Sequence, residues 1–179
     1  MSKQIIFIRH GEKTADDPVH LSNVGVLRSK EIVSFFVQKI NPNIDIPDMI
    51  IAMKQHTSHS SDRPRETVIP LANSLGINVL TPYTRDEIDD LVDFIFKHKD
   101  QKNILICWEH SVIADIMKLL LTRIYKHMKH MHLNWNSNPE SSSDDGEDYS
   151  SIWVIDGDYF HVYKQFDHEK KPLFSLNLA

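Results

Sequence analysis

Hydrophobic positions along this chain alternate between two patterns. Short, mainly apolar runs stand at Ile5-Ile6-Phe7-Ile8, over 48–54, over 77–80 and over 103–108. Runs of four to seven residues, mostly β-branched or otherwise apolar, read as strands buried on both faces, as inside a parallel sheet. Between them the apolar residues recur at helical spacing. After Ser22, a plausible N-cap, Val24, Leu27, Ile32, Phe35, Phe36 and Ile40 outline an amphipathic helix, which Asn41-Pro42-Asn43 ends. A second helix starts at Ser61 or Asp62, tolerates Pro64 in its first turn and stops at Gly76. A third covers 86–97, with Ile88, Leu91, Val92, Ile95 and Phe96 as its stripe and Asp93 and Lys97 four residues apart in the favourable order for an ion pair. A fourth follows Ser111, burying Val112, Ile113, Ile116, Leu119, Leu120 and Ile124, and frays through 126–130.

Past this point the pattern changes. Residues 134–150 include Ser141-Ser142-Ser143-Asp144-Asp145 and read as a mobile surface loop. Residues 151–156, a turn at Asp156-Gly157 and residues 159–166 read as a hairpin; 167–179 carry no firm signal. Strands alternating with helices predict an α/β three-layer sandwich. Its central sheet is mostly parallel, with helices on both faces and an antiparallel C-terminal hairpin. The length, 179 residues, suits one domain, expected to span 1–179.

Composition narrows the function. Twenty Lys and Arg against 25 Asp and Glu give a net charge of −5, which argues against broad nucleic-acid binding. No apolar run approaches the length of a membrane span, and the first strand begins so early that no signal peptide is expected. Cys107, the sole cysteine, excludes an intrachain disulfide and fits a cytoplasmic protein. Set in an apolar strand, it reads as a core residue rather than a nucleophile. His127, His130 and His132 read as a polar helix end, since no carboxylate or cysteine completes a metal set.

The chemistry gathers where apolar runs end. Ile8 gives way to Arg9-His10-Gly11-Glu12; Arg63 lies shortly after the second run; Glu109-His110 follow the fourth. In open α/β sheets ligands bind at the carboxyl ends of strands, so these groups can reach one edge. A neutral imidazole is a competent nucleophile toward phosphorus, and the planar fork of arginine suits a phosphoryl group. A histidine at a helix start also meets anions well, because free backbone N–H groups point there. Arg65 is an alternative to Arg63.

Arg9-His10-Gly11-Glu12 after an apolar strand resembles the signature of the histidine phosphatase superfamily, the phosphoglycerate mutase-like proteins. Leu21-Ser22-Asn23-Val24-Gly25 resembles its Leu-Thr/Ser-x-x-Gly segment. Arg63-Pro64-Arg65-Glu66-Thr67 resembles its Arg-Ala-x-Gln-Thr segment, with Pro64 and Glu66 as departures. Cys107-Trp108-Glu109-His110 and Trp153-Val154-Ile155-Asp156 resemble a branch in which the usual glycine before the second histidine is replaced.

The resemblance implies a phosphohistidine on His10 and a phosphate pocket of Arg9, His10, Arg63 and His110, without metal or cofactor. It also implies a carboxylate that protonates the leaving group. Glu87 is the nearest equivalent by position, with Asp86, Asp89 and Asp90 as rivals; Glu109 is a candidate on chemical grounds. The bland reading of the acidic 86–93 stretch is a solvated helix face. The expected activity is phosphomonoester hydrolysis on a phosphorylated small molecule or protein, with no nucleic-acid or membrane partner. A mutase fits less well, because only residues 77–103 are available for the insertion that closes a mutase pocket. The alternative is a phosphate- or phosphoprotein-binding module with weak turnover.

Overall fold

A computed structural model of the chain describes residues 3–100, 102–136, 139, 148–165 and 169–179. Seven strands form one sheet: β1 (Gln4–Arg9), β2 (Met49–Ala52), β3 (Val79–Leu80), β4 (Ile104–Trp108), β5 (Ser151–Asp156), β6 (Tyr159–Lys164) and β7 (Phe174–Asn177). Their order across the sheet is β3-β2-β4-β1-β5-β6-β7. The first four in that order run parallel, and β5, β6 and β7 add an antiparallel half. Four helices, α1 (Asn23–Val37), α2 (Arg63–Leu75), α3 (Ile88–His98) and α4 (His110–Ile124), cover both faces.

Strand alternation divides the core in two. Ile5 and Phe7 of β1, Ile104 and Ile106 of β4 and Trp153 of β5 pack against α3 and α4. Ile6, Ile8, Leu105, Cys107 and Val154 point the other way, onto Ile32, Phe35 and Phe36 of α1 and Val68 and Leu71 of α2. Ile5–Ile8 of β1 and Ile104–Trp108 of β4 are therefore apolar at consecutive positions, because neither face of these central strands is left to solvent.

The helices end where residue chemistry dictates. Ser22 accepts the Gly25 N–H at 3.1 Å and caps α1. Gly76, at φ +67°, takes the left-handed position that ends α2. Residues Lys126–His130 form a 3₁₀ turn rather than a frayed α-helix.

Several expectations change. The first two turns of α1 leave Val24 and Leu27 exposed and bury Gly25 and Ser29, so its apolar stripe does not face the core over its whole length. Asp93 pairs with Arg123 of α4, not with Lys97; the same guanidinium reaches Asp89 at 2.9 Å. The last residues, which carry no firm signal in the sequence, include β7, which forms the sheet edge against β6. Residues 137, 138 and 140–147 of the presumed loop lie outside the described residues, but its stems belong to the core. Trp135 is 1% exposed, stacks 5.0 Å from Trp153 and donates its indole N–H to the Asp148 carbonyl at 2.8 Å. The buried Asp148 carboxylate pairs with Lys164 at 2.7 Å and accepts the Ser151 hydroxyl. These contacts close the stem of the segment onto β5 and β6.

Removing the Trp135 ring should therefore behave as a core deletion and not as a loop change. Trp135→Ala is expected to lower the unfolding free energy by about 3–5 kcal/mol in urea denaturation. A change within ±0.5 kcal/mol, as at ordinary surface sites, would contradict the packing described.

Candidate active site

The sheet order puts β1, β4 and β2 side by side and parallel, so their carboxyl ends share one edge. β1 ends at Arg9, paired across to Trp108 of β4. One residue on, the His10 N–H donates to the Trp108 carbonyl at 3.1 Å, which carries the ladder past the strand end. The His10 ring is 1% exposed. Its Nδ1 lies 2.8 Å from the Gly11 carbonyl, which can only accept. Nδ1 therefore holds the proton, and the lone pair of the neutral ring is on Nε2.

Two helices press on the turn that follows. The Gly11 N–H donates to Thr67 Oγ1 at 2.8 Å, and the same hydroxyl donates to the Arg63 carbonyl at 2.7 Å. Thr67 thus ties the turn to the first turn of α2, where Arg63 sits. On the other side, a Cβ on Gly25 would lie 2.5 Å from the Glu12 carbonyl oxygen and 3.0 Å from its nitrogen. Only glycine lets α1 approach this backbone so closely. The Leu21 N–H and the His20 ring both meet the Glu66 carboxylate, at 2.9 and 2.6 Å, so Glu66 fixes the far end of the same loop.

Around His10 stand the arginines. Arg9 is 4% exposed, with its guanidinium 3.8 Å from the centre of the Tyr149 ring. Arg63 is largely buried and its Nε donates to Ser61 Oγ at 2.9 Å. Its two Nη nitrogens make no hydrogen bond or ion pair among the described residues. Arg65, the alternative, is a more exposed residue paired with Asp62 at 3.2 Å. Glu12 is held by Arg28, whose Nε contacts both carboxylate oxygens at 2.8 and 2.9 Å.

At the end of β4, Glu109 rather than His110 is the cap of α4. Its carboxylate accepts the Ser111 N–H at 3.2 Å and the Ser111 hydroxyl at 2.6 Å. His110 is the first helical residue, with Nδ1 2.9 Å from Glu109 Oε1. Arg85, from the segment between β3 and α3, closes the group: Nε reaches Glu109 at 3.2 Å and Nη2 reaches Ser111 Oγ at 3.0 Å. Glu87 stands apart, exposed, its carboxylate accepting the Thr84 N–H at 2.7 Å and the Thr84 hydroxyl at 2.6 Å.

The electrostatics follow from this layout. Burial first, then the Arg63 cation, with Arg9 adding to it, brings the His10 pKa down from 6.5 to about 3, against the pull of the Gly11 carbonyl. His10 is thus neutral at physiological pH. Burial also lowers the Arg63 pKa, an effect that Tyr149 and Glu109 oppose. Burial works to raise the Glu109 pKa, but its bonds to His110 and Ser111 win and hold the carboxyl well below the usual range. Glu87 is likewise lowered, by its bonds to Thr84. Arg9, His10, Arg63 and Glu109 therefore sense one another's charge, with His110 attached through Glu109. Glu87 does not enter that set.

Tyr149 and Arg85 were missed in the sequence, where nothing distinguishes either from a surface residue. Among the described residues no cluster of three or more His, Cys, Asp or Glu side chains could hold a metal ion, and no helix is long and apolar enough to cross a membrane.

Two outcomes follow from the geometry. Gly25→Ala should push the Glu12 carbonyl away and disturb the His10 turn, lowering the melting temperature by roughly 4 °C or more; an unchanged melting curve would show the contact to be slack. The lowered His10 pKa also makes stability depend on pH. Above pH 6.5 both folded and unfolded states hold a neutral ring. Below it only the unfolded chain takes the proton, so stability falls by up to about 1.4 kcal/mol per pH unit until about pH 3. Denaturant titrations from pH 7 to 5 should show this slope in the native chain, and a shallower one in His10→Asn.

No protein-family model matches the chain, and no curated protein does. Solved structures share its fold. An Escherichia coli protein assigned as an alpha-ribazole-5'-P phosphatase aligns with a TM-score of 0.52 at 11% identity, over 92% of this chain and 96% of that one. An Agrobacterium tumefaciens protein assigned as the phosphohistidine phosphatase SixA aligns with a TM-score of 0.51 at 12% identity, over 87% and 92%. At these identities the likeness establishes architecture: the chain has the fold of the histidine phosphatases, the phosphoglycerate mutase-like fold.

Proposed function

We propose that this protein is a metal-independent phosphomonoester hydrolase working through a phosphohistidine on His10. The observation that carries the reading is the His10 ring itself. It is buried, neutral, and fixed by the Gly11 carbonyl so that Nε2 presents a lone pair beside the Arg63 and Arg9 cations. A neutral nitrogen nucleophile among guanidinium groups suits attack on a phosphoryl dianion and little else.

In this reading Nε2 attacks phosphorus, the N–P bond forms and the P–O bond to the leaving group breaks. The terminal nitrogens of Arg63 bind the equatorial oxygens, and Arg9 adds charge from beneath Tyr149. Water then attacks the phosphohistidine, releasing inorganic phosphate and the free ring. Glu109 orients His110 through Nδ1, leaving Nε2 to face the anion. The leaving oxygen needs a proton, and the lowered pKa values leave both Glu87 and Glu109 ionised at neutral pH. A bound dianion raises the proton affinity of a neighbouring carboxylate. Glu109 is next to the pocket and Glu87 is turned to Thr84, so Glu109 is the donor in this reading. The Cys107-Trp108-Glu109-His110 segment supports placement in the branch named above.

The ionised state of both carboxylates favours a second reading, a phosphate-binding module with slow turnover. Hydrolysis of para-nitrophenyl phosphate separates the two. Turnover should survive EDTA and fall by about 10³-fold or more in His10→Ala. Anion binding without turnover in the native chain would support the module.

A further inference from the structure

Beside the phosphate pocket lies a cleft of about 330 Å³. Two of its residues belong to the pocket as well: Ser61, whose hydroxyl holds Arg63 Nε, and Glu109, which holds His110. A leaving group attached to phosphorus at His10 would project here. The floor is Met53, 5% exposed. One wall is the turn carrying Lys54, His56 and Ser60; the other carries Thr84, Arg85 and Asp86.

The polar groups of these walls are spent on one another. Ser60 Oγ accepts the His56 and Thr57 N–H groups at 2.9 Å each and donates to the Thr57 carbonyl at 2.8 Å. Thr84 Oγ1 donates to Glu87 at 2.6 Å, and Asp86 takes Arg85 Nη1 at 2.8 Å. Arg85 gives its other nitrogens to Glu109 and Ser111. Among the described residues, Met53, Lys54 and His56 are the lining side chains with no hydrogen bond or ion pair, although the charge of Glu87, just outside the cleft, is felt by Lys54 and His56. A polyol or sugar leaving group would find few open partners. An aromatic ring would find three: a thioether sulfur, an ammonium and an imidazole, each of which packs well on a π system. The planar Arg85 guanidinium, already neutralised at its edges, adds a flat face.

We infer that this cleft is the leaving-group site for aryl phosphomonoesters, an inference that rests on the phosphatase reading. The ring lies over Met53 between Lys54 and Arg85, and the ester oxygen sits at the junction beside Glu109. Chain substrates such as glycerol phosphates bind through the phosphoryl group alone.

Phosphonates test the cleft without turnover. Isothermal titration should give phenylphosphonate an affinity about tenfold or more above methylphosphonate in the native protein, and within about threefold of it in Lys54→Ala/His56→Ala. Both substituted residues are exposed and outside the phosphate pocket, so methylphosphonate binding should stay unchanged. Equal affinities in the native protein, a ratio that survives the double substitution, or no binding of phenylphosphonate would each overturn the inference. Hydrolysis of phenyl phosphate and glycerol 2-phosphate is measured beside it. Absence of turnover with both, alongside a retained phosphonate ratio, would sink the phosphatase reading and leave the aryl site standing.

Discussion

The structure turns on a backbone crossing. The turn at residues 10–12 is squeezed between the first turns of two helices, with Gly25 of α1 on one side and Thr67 of α2 on the other. Neither contact tolerates a larger or less polar group without moving the turn. The squeeze buries the His10 ring, directs its Nδ1 proton to the Gly11 carbonyl and sets Arg63 beside it. Burial in turn removes water from the imidazole, and that is the leading reason it stays neutral among cations. A single steric constraint thus fixes tautomer, charge and orientation together.

The site also shows how an acidic chain can hold a cationic well. Its net charge is −5, yet Arg9, Arg63 and Arg85 stand at one sheet edge. Their charges are balanced unevenly. Arg85 is matched by Glu109 and Asp86, and Arg9 lies against an aromatic face. Arg63 gives Nε to a hydroxyl, a partner without charge. Among the described residues Arg63 makes no ion pair with a carboxylate, and its charge is the one His10 feels most. In a pocket partly shielded from water, that imbalance favours a dianion far more than the overall charge would suggest.

Differences between the linear pattern and the fold have physical causes. Periodicity assigned Val24 and Leu27 to the core, but the close approach to Glu12 turned the Gly25 and Ser29 side inward and left them outside. Residues 134–150 looked too polar to pack, because Trp135 and Asp148 are single core contributors flanking a Ser- and Asp-rich stretch that dominates any window average. β7 has four residues and alternates intermediate with exposed positions, so its signal was too weak to see before β6 offered it an edge. Tyr149 and Arg85 carry no spacing motif. Each enters the site by a fold-dependent route, one from the stem ahead of β5 and the other from the loop after β3.

By itself, the order of residues determined the strand and helix alternation, both core faces of the parallel strands, and the three segments whose ends bear Arg9-His10, Arg63 and Glu109-His110. Those are local properties: apolar periodicity, caps, and polar residues placed where a strand must stop. Tertiary structure alone decided that Glu109 is an ionised cap bonded to His110, that Glu87 turns to Thr84, that Tyr149 lies on Arg9, and that a cleft opens beside Ser61. Each of these depends on groups far apart in the chain meeting at a few ångströms. Charge state, tautomer and cavity shape vary steeply over such distances, whereas spacing along the chain is blind to them.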